Sequence, residues 1–119
     1  MAIATNILTI NAPNQRGRIH WAVNATSADA TGNEIVIAAP TTPASLYLKK
    51  IVINCVAAIT VWLNDGTTTL LGAFNFAAGA PGVVSIEFAF PIKWGAAKPL
   101  DMDASGAGAI QIYVEGFTA

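Results

Sequence analysis

From Ile59 to Phe90, apolar and polar residues alternate with a period of two, interrupted by short turn signals. Ile59, Val61 and Leu63 alternate with Thr60, Trp62 and Asn64, the pattern of a strand with one buried face. Asp65-Gly66 follows, a dipeptide that favours a two-residue type I′ hairpin because both central positions need positive φ. Such a turn pairs Leu63 with Thr68, Val61 with Leu70 and Trp62 with Thr69. It predicts Val61, Leu63 and Leu70 on the core face, and Trp62 outside beside Thr60 and Leu71. A tryptophan on the outer face of a hairpin asks for a cover.

The same period recurs along the chain. Ile110, Ile112 and Val114 alternate with Gln111, Tyr113 and Glu115, and Val84, Ile86, Phe88 and Phe90 alternate with Val83, Ser85, Glu87 and Ala89. Ile35 and Ile37 alternate with Glu34 and Val36, and Leu100 and Met102 with Asp101 and Asp103. In LYLKKIVINC the phase slips, since Leu46 and Leu48 fit one register and Ile51, Ile53 and Cys55 the other. A β-bulge at Lys49-Lys50 reconciles the two and keeps both lysines out of the core. Strands are expected at about 18–24, 33–39, 46–56, 58–64, 67–72, 83–90, 98–103 and 109–117, and no segment carries a helical period. Eight short antiparallel strands, each with one apolar face, predict an all-β sandwich or barrel with a sheet-on-sheet core.

Residues 1–17 read differently and are taken as an N-terminal arm preceding a domain at 18–119. Ile3, Ile7, Leu8 and Ile10 suit one short strand, and NAPNQRGR is a polar, turn-rich connector. Such a segment packs on its own domain or adds a strand to a neighbour.

Composition sharpens the picture at the surface. Charged residues are 11% of the 119, against about 25% in an average soluble domain, and the net charge is −1. Ala, Thr, Asn and Gly take the place of the usual Lys, Arg, Glu and Asp, which predicts burial of much of that surface against other subunits. Hydrophobic residues are 54%, yet no apolar run approaches the ~18 residues of a membrane helix. MAIATNILTI has no basic n-region, so no secretory signal is expected. The single cysteine, Cys55, cannot form an internal disulfide; it shares a face with Ile51 and Ile53 and is expected to be a buried small hydrophobe.

The chemistry-bearing residues are sparse. His20 is the sole histidine, too few for a metal site built from several His and Glu ligands on different strands, and its face in RIHWAVN predicts an exposed or interface position. Asp101 and Asp103 share a strand face, expected to be solvated, without further oxygen ligands at loop spacing. Arg16, Arg18, Lys49 and Lys50 make no basic stripe, and the glycine-rich turns are not followed by a helix. The expectation is no enzyme, metal or cofactor, and no nucleic-acid, membrane or small-molecule partner. The aromatics Trp21, Trp62, Trp94, Tyr47, Tyr113, Phe74 and Phe76 are candidates for core, subunit interface or sugar platform.

One order of features carries a resemblance: LYLKKIVI, then VWLNDGTTTLLG, a Phe-containing loop with Gly-Ala-Pro-Gly, a strand ending FAFPI, then PLDMD and a terminal G-x-I-x-I-x-V-x-G-F. Over roughly residues 33–119 the chain resembles the small jelly-roll capsid decoration, or cement, proteins of tailed bacteriophages and related virion structural modules. The resemblance implies a two-sheet, eight-stranded jelly roll that trimerises on a capsid. It also implies a virion location after synthesis in the host cytoplasm, with the major capsid protein or another virion protein as partner. No family binding residue maps onto this chain. Its own residues predict contacts between protomers at Trp62 and Tyr113 and an arm contact at Ile7, Leu8 and Ile10. Leu71, Phe74 and Phe76 are further apolar interface candidates. The alternative expectation is a carbohydrate- or receptor-binding module of a phage fibre or tail.

Overall fold

A computed structural model describes residues 4–9, 18–29, 34–79 and 82–119 of the chain. The described residues form nine strands and no helix: β1 (Ala4–Thr9), β2 (Ile19–Asp29), β3 (Glu34–Ile37), β4 (Leu46–Cys55), β5 (Thr60–Asn64), β6 (Thr69–Asn75), β7 (Gly82–Lys93), β8 (Leu100–Ala104) and β9 (Ala107–Thr118). They pair antiparallel in a five-stranded sheet of order β1-β2-β9-β4-β7 and a four-stranded sheet of order β3-β8-β5-β6. Setting β1 aside, eight strands make two four-stranded sheets, and the chain crosses between sheets at every connection except the β5–β6 hairpin. That winding is a jelly roll, as the resemblance implies, within the two-sheet sandwich that the strand count and phases predict. β1 lies along β2 on the outer edge of the larger sheet, with Ile7 in register with Val23. Ile10 falls outside the described residues.

The core is the space between the sheets. From the large sheet it takes Trp21, Val23 and Ala25 of β2, Leu46 to Cys55 in alternation on β4, and Ile110, Ile112 and Val114 of β9. From the small sheet come Val36, Val61, Leu63, Leu100, Met102 and Ala104, and Trp94 plugs one end with its indole N–H donating to the Asn64 carbonyl at 3.2 Å. The phase slip in β4 is resolved by a bulge between Leu48 and Lys50, present against both β7 and β9, and Lys49 is exposed there. Cys55 is buried. Gly116 is required by close approach: a Cβ there would sit 2.6 Å from Trp21 Cη2, so β9 has no side chain where the β2 indole crosses it.

Four strand phases or faces differ from expectation. The β5–β6 turn spans Asp65–Thr68 rather than two residues, because Asn64 pairs with Thr69 and Leu63 with Leu71. The Asp65 N–H donates to the Thr68 carbonyl at 2.9 Å, and Asp65 Oδ1 accepts from the N–H groups of Thr68 (2.8 Å) and Thr67 (3.2 Å). The carboxylate thereby satisfies a wider loop in which Gly66 alone takes positive φ, at 100°, where a type I′ turn needs two such residues. The longer loop moves Leu71 onto the core and leaves Leu70 38% exposed. In β3, Val36 is the buried residue and Ile35 is 54% exposed; a register shift between Ile35 and Ile37 lets Ile37 lean back onto the core. Phe90, in phase with the core by simple alternation, is 87% exposed.

Asp101 is the fourth. The expected solvated carboxylate is 4% exposed, because the Asp65–Thr68 loop and Pro99 close over the outer face of β8. Its Oδ1 has no hydrogen-bond partner. Burial, and then the charge of Asp65, push its pKa above the usual carboxylate value. Asp65 shifts the opposite way, pulled down chiefly by the Thr68 N–H.

These two carboxylates give pH dependences of opposite sign. A lowered folded pKa stabilises above the unfolded value near 3.9 and fades as pH falls through the folded value. Asp65→Ala should therefore cost about 0.5–1.5 kcal/mol at pH 7, measured by urea unfolding, with the difference shrinking below pH ~4. A raised folded pKa favours the fold at low pH and destabilises it as pH rises through that value. Asp101→Asn should stabilise by about 1 kcal/mol at pH 7, with the gain vanishing toward pH ~4 in the same titration.

Candidate functional site

The outer face of the large sheet is set by register. His20, Phe117, Tyr47 and Lys93 form one row, and Ala22, Glu115, Lys50 and Glu87 the next. Asn24, Tyr113, Val52 and Ser85 make a third, and Thr26, Gln111, Asn54 and Val83 a fourth. The first row is an aromatic layer: Tyr47 stacks on Phe117 at 4.8 Å, His20 tilts against it at 5.6 Å, and the Arg18 guanidinium sits 4.5 Å above the ring. That cover explains a buried Phe117 on an outward position. His20 is half-buried, with its Nε2 enclosed and without a hydrogen-bond partner. In the second row Lys50 stands in register between two glutamates, so the charges alternate and leave no single-sign patch. Among the described residues no three His, Cys, Asp or Glu side chains converge as metal ligands.

Tyr113 is half-buried on this face, and its hydroxyl donates to Glu115 Oε1 at 2.6 Å. The carboxylate holds the phenolic proton, and the Tyr113 pKa is pushed up to about 12.

The outer face of the small sheet holds Trp62, half-buried and in register with Asp103 of β8. Its indole crosses Gly72 of β6, where a Cβ would lie 3.1 Å from Trp62 Cδ1. Gly72 has φ of 122°, a backbone that glycine alone adopts readily, and it coincides with the register shift between Val61 and Leu63. Part of the cover that Trp62 needs thus comes from the neighbouring strand.

The two free edges β6 and β7 terminate the sheets on one flank, and neither contains a fully buried residue. Leu71 and Phe74 of β6, Phe76 just beyond it, and Val84, Ile86, Phe88 and Ile92 of β7 pack against the core while staying half-buried. Phe76 lies against Gly82, where a Cβ would be 2.6 Å from its ring, and this ties the end of β6 to the start of β7. Away from that tie the sandwich is open. Val83 is 62% exposed, and Phe90 stands out where the ladder breaks: Glu87 pairs with Lys50 and Ile92 with Leu48, so Phe88–Pro91 face Lys49 alone. Four residues against one force a protrusion, and Pro91 has no N–H to offer the ladder.

On the opposite flank an apolar groove of about 460 Å³ opens between β2 and β3. Trp21, Val23, Val36, Ala38, Leu46 and Thr118 are among its walls, and Trp21 Nε1 is already committed to Thr118 Oγ1 at 3.2 Å.

The residues singled out from sequence do not share one surface. Trp62 and Tyr113 lie on opposite outer faces, and Leu71, Phe74 and Phe76 lie along the β6–β7 flank. Ile7 and Leu8 lie in β1 at the far edge of the large sheet. Sequence reading missed Phe90, Val83 and Leu70. The signal for Phe90 was Pro91, since a proline inside a strand pattern marks an edge or a bulge. No protein-family model matches the chain, and no curated protein matches it in sequence.

The Tyr113–Glu115 pair is directly testable. Glu115→Gln removes the accepting charge, so the Tyr113 titration followed by ultraviolet absorbance should fall from about 12 toward the ordinary value near 10.

Proposed function

We propose that this chain is a structural virion protein, a capsid decoration or cement protein that binds the outside of a capsid shell as an oligomer, most simply a homotrimer, and stabilises it. The observation that carries the reading is the open β6–β7 flank. A sandwich whose β6–β7 flank leaves seven core-facing residues half-covered, with Phe90 and Val83 beside them in solvent, is built to be completed by another surface. The low charge of 11% supports the same reading, since few ion pairs need be desolvated when such faces meet. In this role the protein works by binding alone. Shape-complementary apolar contacts join protomers, and several copies held together multiply a modest single-site affinity for the major capsid protein or another virion protein. The protein is then made in the bacterial cytoplasm and resides on the particle.

A second reading, a glycan-binding module of a tail or fibre, is favoured by one observation. Asn24, Tyr113, Thr26, Gln111 and Asn54 stand in adjacent register rows on the outer face of the large sheet, an array of hydrogen-bonding side chains around an aromatic ring.

Light scattering at micromolar concentration should give a multiple of the 12.3 kDa chain mass, and Phe90→Asp with Val83→Asp should return the monomer with an unchanged circular dichroism spectrum. A wild-type mass of one chain would overturn the oligomer. Co-sedimentation with purified capsids tests the partner, and glycan-array hits without capsid binding would replace the first reading by the second.

A further inference from the structure

The β6–β7 flank carries a protruding ring, and the β2–β3 flank carries an apolar groove. The two lie at the same height along the strands. Trp21, a wall of the groove, is in register with Gly116, Gly116 with Leu48, and Leu48 with Ile92, two residues beyond Phe90. We propose that the Phe90 protrusion of one copy seats in the β2–β3 groove of the next, so that copies join head to tail around a ring.

Size and chemistry fit this occupant. An apolar cavity of about 150 Å³ already holds a benzene ring. The groove, at about 460 Å³, accepts the phenyl group together with the flanking Ala89 and Pro91. No residue lining the groove is charged, and neither are the neighbours of Phe90 from Phe88 to Pro91, so the contact buries no unpaired charge. At the wall Trp21 Nε1 is already paired with Thr118 Oγ1 and asks for no polar ligand. An added strand is a poorer occupant for the Phe90 end of β7, where the four-against-one bulge and Pro91 interrupt the edge ladder.

Knob and groove are different surfaces, so the contact is heterologous, and a heterologous contact makes rings or open filaments. Their common height gives successive copies little displacement along the strand direction. Closure into a ring follows when the rotation per copy divides the full turn, with the strands running along the ring axis.

The inference rests on the oligomer proposed above, and its test separates the two. Phe90→Cys chains are mixed with Ala38→Cys chains under mild oxidation; Ala38 is exposed at the groove, and the native Cys55 is buried. The expected product is the mixed 90–38 disulfide, and the double variant should give a covalent ladder ending at the light-scattering mass. Disulfides between two copies of position 90, or no mixed product from an oligomer of full mass, would overturn the knob-in-groove contact and leave the oligomer standing. Ala38→Arg provides an independent check, since its solvent position tolerates the change. It should lower the wild-type mass to one chain, and an unchanged oligomer would overturn the inference. A wild-type monomer would remove both.

Discussion

The whole sandwich depends on β4 burying two apolar runs that are out of phase. Leu46 and Leu48 point inward on one side of the slip, and Ile51, Ile53 and Cys55 on the other. One extra residue reconciles them, and both neighbouring strands must accept it at the same level. β9, in the sheet interior, absorbs the shift between Gly116 and Glu115 without losing its buried alternation. β7 has a partner on one side only and absorbs it by setting four residues, Phe88–Pro91, against Lys49. The most exposed large apolar side chain among the described residues is thus a consequence of packing in the middle of the sheet.

Much of the fold was legible in the chain. The central strands β5, β8 and β9, and β4 on either side of its bulge, turn their apolar residues inward because both their neighbours and the opposite sheet hold their register. The bulge at Lys49-Lys50 could be read because a lysine pair at a phase break cannot be buried. The errors fall on edges and turns. Ile35, Leu70 and Phe90 sit on strands with one partner, where apolar character on both faces leaves the sequence silent about which face turns inward. The turn misled for a different reason: Asp65 and Gly66 suit a type I′ hairpin, but the carboxylate gains more by accepting two backbone N–H groups in a wider loop.

The candidate site was less legible than the fold for the same physical cause. A binding surface on a β-sandwich is defined by what lies beside a residue on the next strand, and cross-strand neighbours are distant in sequence. The layer of Arg18, His20, Tyr47 and Phe117 joins β4, β9 and the β2 end of the chain, and no local window contains it. Asp101 likewise owes its burial to a loop more than thirty residues earlier.

The placement of β1 changes the length of backbone that the large sheet leaves unpaired at one margin. By lying along Ala22–Thr26 of β2, the N-terminal strand becomes the edge of the large sheet in its place, so the sheet ends in β1 on one side and β7 on the other. An edge of six residues stands where the eleven of β2 would otherwise be open. A short edge strand presents fewer unpaired N–H and C=O groups as a template for cross-strand growth, and on a chain with so apolar a surface that shortening limits edge-to-edge aggregation.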